Sequence, residues 1–206
     1  MPLIRRESPD KTAEPAPEPL DRLATDLRDP DPERRWLAAR HMGGRRGTVA
    51  HLAAALKSES EPRVLQAIFT SLTQTGGEDS VLALLPWLRS DDAARRCGAI
   101  EALQMMPDVV RPHMSELLRD SDSDVRILAC ELVRKMPPEG ATSLLCVVLN
   151  HDDHASVCAA AADVLAEIGT RDAVPVLERC RERFIRDPFL PFAIAAAIES
   201  IDNHAG

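Results

Sequence analysis

Residues Leu118–Met136, LRDSDSDVRILACELVRKM, decide the fold. After the acidic turn, apolar side chains fall at Val125, Leu128, Ala129, Leu132, Val133 and Met136. That i, i+3, i+4, i+7, i+8, i+11 series puts them all on one helical stripe. The same cassette recurs along the chain. Second helices (B) are expected near residues 31–42, 61–75, 92–106, 122–136, 154–168 and 187–201, each preceded by a first helix (A) near 19–28, 48–57, 79–89, 107–119, 140–150 and 171–184. Aligning the B segments gives core columns in register. Val64, Ala67, Ile68 and Leu72 match Ala99, Ala102, Leu103 and Met106, then Val157, Ala160, Ala161, Val164, Leu165 and Ile168, then Leu190, Ala193, Ile194, Ala197, Ile198 and Ile201. One column, Met42, Leu72, Leu103, Val133, Leu165 and Ile198, recurs at intervals of 30, 31, 30, 32 and 33 residues. Helix pairs with such a period stack as a solenoid.

The turns carry their own chemistry. Asp31, Glu61, Asp92, Asp122 and Asp187 stand immediately before B segments. An aspartate there accepts from orphan amides and complements the positive end of the helix dipole, and a glutamate does at least the latter. Pro32, Pro62 and Pro188 follow three of them, where a first-turn proline loses no hydrogen bond. Pro86, Pro112 and Pro175 fall inside A segments, and each is expected to bend its helix.

Composition agrees with an all-helical chain. Of 206 residues only 3% are aromatic and none is tyrosine, which excludes a large aromatic core. Residues 1–17, with prolines at 2, 9, 15 and 17 among charges, read as a flexible tail. Repeats are expected at approximately 18–45, 46–77, 78–106, 107–137, 138–169 and 170–206. The formal charge of -8 is not located in the tail, so the folded part is acidic and poorly suited to phosphate backbones. No apolar run is long enough to span a bilayer, and the amino terminus lacks an apolar signal core. The five cysteines form no CxxC pair, and four lie in predicted helices among small apolar neighbours. Reduced thiols in a cytoplasm are the expectation.

With these residues laid out, the pattern resembles the HEAT repeat, in particular the short bacterial HEAT-like type named after the phycobilisome lyases. The residues that carry the resemblance are Asp29-Pro30-Asp31-Pro32-Glu33 with Arg35, then Asp122-Ser123-Asp124-Val125-Arg126, and Asp172-Ala173-Val174-Pro175-Val176-Leu177 of an A helix. It covers approximately residues 18 to 203 and implies a right-handed α-solenoid of about six two-helix repeats. It also implies a ladder of Asp and Arg between neighbouring repeats. Leu65, Cys158 and Pro191 stand where the pattern has arginine, so the ladder is expected to be partial and to rest on Arg35, Arg96 and Arg126. In the first copy the core stripe begins at Arg34, includes His41 and points on to Arg45, as a capping repeat with a polar outer side requires.

Chemistry was sought and a binding role preferred. Deoxyhypusine hydroxylase, also built from HEAT-like repeats, holds iron with His-Glu dipeptides, and none of the six histidines here precedes a glutamate. Cys146, His151, His154 and Cys158 offer zinc-type ligands across the fifth turn, but the spacing matches no common zinc motif, and helix packing is the expected role. No metal and no cofactor are expected. Alkylpurine DNA glycosylases use aromatic and acidic residues beside a basic face, whereas Trp36 and Trp87 lie in different repeats of an acidic body.

What remains is the surface. In this fold the B helices usually line the concave side. Beside the core stripe runs a column of Arg40, Thr70, Glu101, Glu131, Asp163 and Ala196, and next to it Trp36, Gln66, Cys97, Ile127, Ala159 and Phe192. Trp36, Arg40, Glu101, Ile127, Glu131, Arg134 and Asp163 are the expected partner-binding residues, for another protein with a basic or amphipathic segment. The expectation is a non-catalytic interaction module or adaptor that binds neither nucleic acid nor membrane. The alternative is an accessory subunit of an enzyme or a bilin-lyase-like protein.

Overall fold

The computed structural model describes residues 18–204, and the expected tail lies outside them. Among the described residues there is no strand. The chain folds as six stacked helix pairs: α1 (Leu20–Asp26) with α2 (Pro32–Met42), α3 (Val49–Ser58) with α4 (Pro62–Thr75), and α5 (Gly77–Leu84) with α6 (Ala93–Gln104). The fourth pair sets α7 (Pro107–Val110) and α8 (Met114–Leu117) against α9 (Ser123–Val133). The last two are α10 (Pro138–His151) with α11 (Ala155–Ile168), and α12 (Val174–Arg183) with α13 (Leu190–His204).

The turn residues act as expected. Asp31 accepts from the Glu33 amide, Asp92 from Ala94 and Arg95, Asp122 from Asp124, and Asp187 from Phe189 and Leu190, while Glu61 makes no side-chain cap bond. The sixth B helix begins only at Leu190, so Pro188 precedes it instead of opening it. At the other end, α6 and α9 stop at Gln104 and Val133, short of the expected Met106 and Met136. Pro107 and Pro137 follow those methionines, and a residue ahead of proline is driven out of the helical region.

Each A-helix proline coincides with a stretch of tighter 3₁₀ geometry. Pro86 lies in Leu85–Arg89, Pro112 in Arg111–His113, and Pro175 directly follows Arg171–Ala173. Proline removes the amide that an α-turn would use, and the chain closes the shorter ring instead. In the fourth pair the outcome is severe, leaving two helical pieces of four residues each.

The core columns close between pairs. Met42, Leu72, Leu103, Val133 and Leu165 are fully buried, and Ile198 at the last position is half-buried. Ala193, expected in the core, is exposed, because no further B helix packs beyond α13 among the described residues. At the first pair Arg34, His41 and Arg45 do present a polar side, paired with Asp29, Glu18 and the Glu18 carbonyl. B helices pack closely on one another, whereas α1 stands away from α3 and α8 from α10. Closer spacing on the B side curves the array toward it.

The arginine ladder is partial in an unexpected way. Arg35 forks onto Glu59 of the next pair at 2.7 and 3.1 Å and also donates to the carbonyls of Asp29 and Pro30. Arg126 repeats this with Asp152, at 2.6 and 3.1 Å, and with the Asp120 carbonyl at 2.8 Å. Arg96 makes only the carbonyl bond, to Ser90, because Asp120 is engaged by Arg89. Burial disfavours the charged forms of Glu59 and Asp152, but the arginine hydrogen bonds and nearby turn amides outweigh it and hold both carboxyls below their ordinary range.

Candidate functional site: the B-helix face

The outward residues of α2, α4, α6, α9 and α11 form one face, which falls into three chemically different parts. At the first part Trp36, half-buried on α2, lies between two guanidinium groups. Arg40 sits 4.7 Å from the ring centre and Arg63, reaching back from α4, 4.0 Å. Arg63 is also paired with Glu33 at 2.7 Å, while no carboxylate of the described residues pairs with Arg40. A groove of 360 Å³ runs from this stack past Gln66, Thr70 and Gln74.

Those three residues also border the second part, a groove of 520 Å³ between α4 and α6. Leu65, Phe69, Ala94, Cys97 and Met105 line it, with Glu101 on its wall. Gly98 makes this geometry possible, since a Cβ there would overlap the Phe69 ring. Cys97 is exposed and Met105 is 72% exposed, so the groove wall is apolar yet open to solvent.

In the third part the structure amends the expected stack of free carboxylates. Arg134 donates to both oxygens of Glu131 at 3.1 Å, to Asp163 at 2.9 Å, and to Glu167. The hydrogen bonds from Glu131 do most to raise the Arg134 pKa; burial opposes them, and Glu167 and Asp163 add to them. Three carboxylates around one guanidinium leave this part negative. Asp163 and Glu167 remain 69% and 55% exposed. Glu101 stands apart, with no ion pair among the described residues, and Ile127 is half-buried against the core.

Sequence reasoning therefore found Trp36, Arg40, Glu131, Arg134 and Asp163 on this face but missed Arg63 and Glu167. Glu167 was legible as one turn beyond Asp163. Arg63 carries no such signal, because its role depends on reaching back across a pair boundary.

The zinc-type quartet does not assemble. His151 and His154 are exposed at the fifth turn, bordering an 820 Å³ groove between α8 and α10 on the opposite, A-helix side. Cys158 is buried and donates to the Asp152 carbonyl at 3.5 Å, and Cys146 is half-buried within α10. Among the described residues no three His, Cys, Asp or Glu side chains converge as a metal site requires. No described helix is long and apolar enough to cross a membrane.

Among curated proteins none matches the chain. Solved structures do, at low identity. An engineered protein from a structural genomics consortium is 19% identical over 89% of this chain and 96% of its own, with a TM-score of 0.42. The complex of CpcE and CpcF of phycocyanin lyase from Nostoc sp. PCC7120 gives 16% identity over 97% of this chain and 100% of that one, with a TM-score of 0.39. A designed armadillo repeat protein in complex with the peptide (KR)4 gives 16%, 89% and 100%, with a TM-score of 0.43. A family model described as HEAT repeats matches residues 20–104 and 111–201, and with the stacked pairs and buried columns described above the chain belongs to the HEAT repeat family.

Proposed function

We propose that the chain is a non-catalytic adaptor that holds a segment of a partner protein along its B-helix face. The observation that carries this is the continuity of that face. Two grooves share Gln66, Thr70 and Gln74 and run between a cation–aromatic stack and an acidic cluster. Open apolar surface rimmed by ordered charges is the composition of a protein-binding surface. The formal charge of -8 favours protein over nucleic acid as the partner. A reducing compartment such as the cytoplasm suits the five free thiols.

The test is capture of partners from the native host by the wild type and by a Glu101→Lys, Glu131→Lys, Asp163→Lys triple variant. Loss of the captured protein with the variant still folded is the expected result. Undiminished capture would show that another face is used.

A further inference from the structure

The two ends of the B-helix face differ in sign, and this restricts what can lie along it. We infer that the partner segment is bipolar, with an acidic end over Trp36, Arg40 and Arg63, one apolar side chain in the groove between α4 and α6, and a basic end over Glu131, Asp163 and Glu167. This rests on the adaptor reading above and adds the partner's chemistry and order.

At the first end two guanidinium groups are already held against one indole ring, at 4.7 and 4.0 Å. Stacking fixes their planes and leaves their N–H edges free to fork onto a carboxylate. Only Glu33 offsets them, so this part carries net positive charge. A lysine or arginine arriving here would meet like charge at close range, which is costly at an interface. A uniformly basic segment therefore fits the far end and is repelled at the near one.

The middle part accepts an apolar anchor. Leu65 and Phe69, each 6% exposed, form its floor, and Met105 on its wall can adapt to the shape of an incoming side chain. The far end has the opposite demand. Arg134 orders Glu131, Asp163 and Glu167 but neutralises only one of the three, and the oxygens left to solvent suit an arginine or lysine.

Spacing follows from stacking. Neighbouring helices lie roughly 8–10 Å apart. The acidic end, the anchor and the basic end fall between α2 and α4, α4 and α6, and α9 and α11 respectively. An extended segment advancing about 3.3 Å per residue would place the anchor about three residues from its acidic end and the basic end about five or six beyond it.

The experiment uses the full chain and three synthetic peptides built on this spacing. One carries a Glu pair, a Leu and an Arg pair; one replaces the Glu pair with Arg; one replaces the Arg pair with Glu. Binding is read by fluorescence anisotropy at low salt, and groove occupancy by the rate of Cys97 alkylation, quantified by mass at that residue. The bipolar peptide is expected to bind about tenfold more tightly than either uniform one and to slow Cys97 alkylation. Arg40→Glu with Arg63→Glu should reverse the preference toward the all-Arg peptide. An all-Arg peptide that binds wild type as well as the bipolar one overturns the inference, as does failure of every peptide to protect Cys97. Neither result touches the adaptor reading, which fails only if the triple charge reversal leaves partner capture intact.

Discussion

Arg95 donates to the main-chain oxygen of Glu59 at 2.6 Å across a boundary between helix pairs. That carbonyl lies six residues before Leu65, the position where the neighbouring repeats use Arg35 and Arg96 to hold the equivalent oxygen. The gap at Cys158 is closed in the same manner, by Arg183 of the following pair, which donates to the Asp152 carbonyl at 2.6 Å. Where the ladder arginine is missing from its own repeat, the next repeat supplies one.

Replacing either substitute arginine should therefore act like breaking the ladder. Arg95→Leu and Arg183→Leu are each expected to cost about 1–2 kcal/mol, the value of a charge-assisted bond to a buried carbonyl. Urea midpoints at constant slope measure it. An exposed arginine such as Arg22, replaced in parallel, should leave the midpoint unchanged.

Arg126 carries more. It and its partner Asp152 are only 11% and 8% exposed, so Arg126→Ala leaves a carboxylate unpaired and nearly out of water. A loss of about 3 kcal/mol is expected. Arg126→Ala with Asp152→Ala should recover part of it, because no buried charge then lacks a partner. A double variant less stable than the sum of the singles would refute the pairing.

The same carboxylates set an acid limit. Glu59 and Asp152 titrate below their ordinary values of 4.5 and 3.8 in the folded chain. Unfolding raises their pKa, so their contribution is complete above those values and is lost as pH falls through them toward the folded ones. Urea midpoints should hold from pH 7 to 5 and decline below about 4. The decline should be shallower in an Arg35→Ala, Arg126→Ala variant.

Gly98→Ala tests the groove between α4 and α6. Alanine is ordinarily the better helix former by about 1 kcal/mol, yet here its Cβ would overlap the Phe69 ring. Overpacking should win and destabilise the chain by about 1–3 kcal/mol. Adding Phe69→Leu should relieve it, which thermal melts of both variants would show.

Thiol reactivity should rank by position. Cys97 is exposed, whereas burial pushes the Cys130 thiol up to about 12. Limited alkylation of the native chain at pH 8 should label Cys97 well before Cys130, and denaturation should abolish the difference.

The fold was legible because both of its determinants are local. The apolar stripe of Val125, Ala129, Leu132 and Val133 recurs at a fixed interval, and Asp31, Asp92 and Asp122 mark where B helices begin. Ends of helices were less legible, since Met106 and Met136 continue the stripe while the following prolines stop the helix. On the binding face, residues such as Trp36 and Asp163 could be placed by register alone. Charge pairing could not. Arg63 over Trp36, Arg134 among three acids, and Arg95 standing in for an absent arginine all involve long side chains crossing between pairs, and a one-dimensional alignment does not record reach.

The fragmented A side of the fourth pair has a mechanical consequence. α6 and α9 share the thinnest seam between successive B helices, and beside it α7 and α8 are single turns parted at Pro112. Tension applied to the two ends should open the array there first, yielding two stiff arms joined by a compliant joint. A visitor lying across the whole face would bridge that joint and splint it.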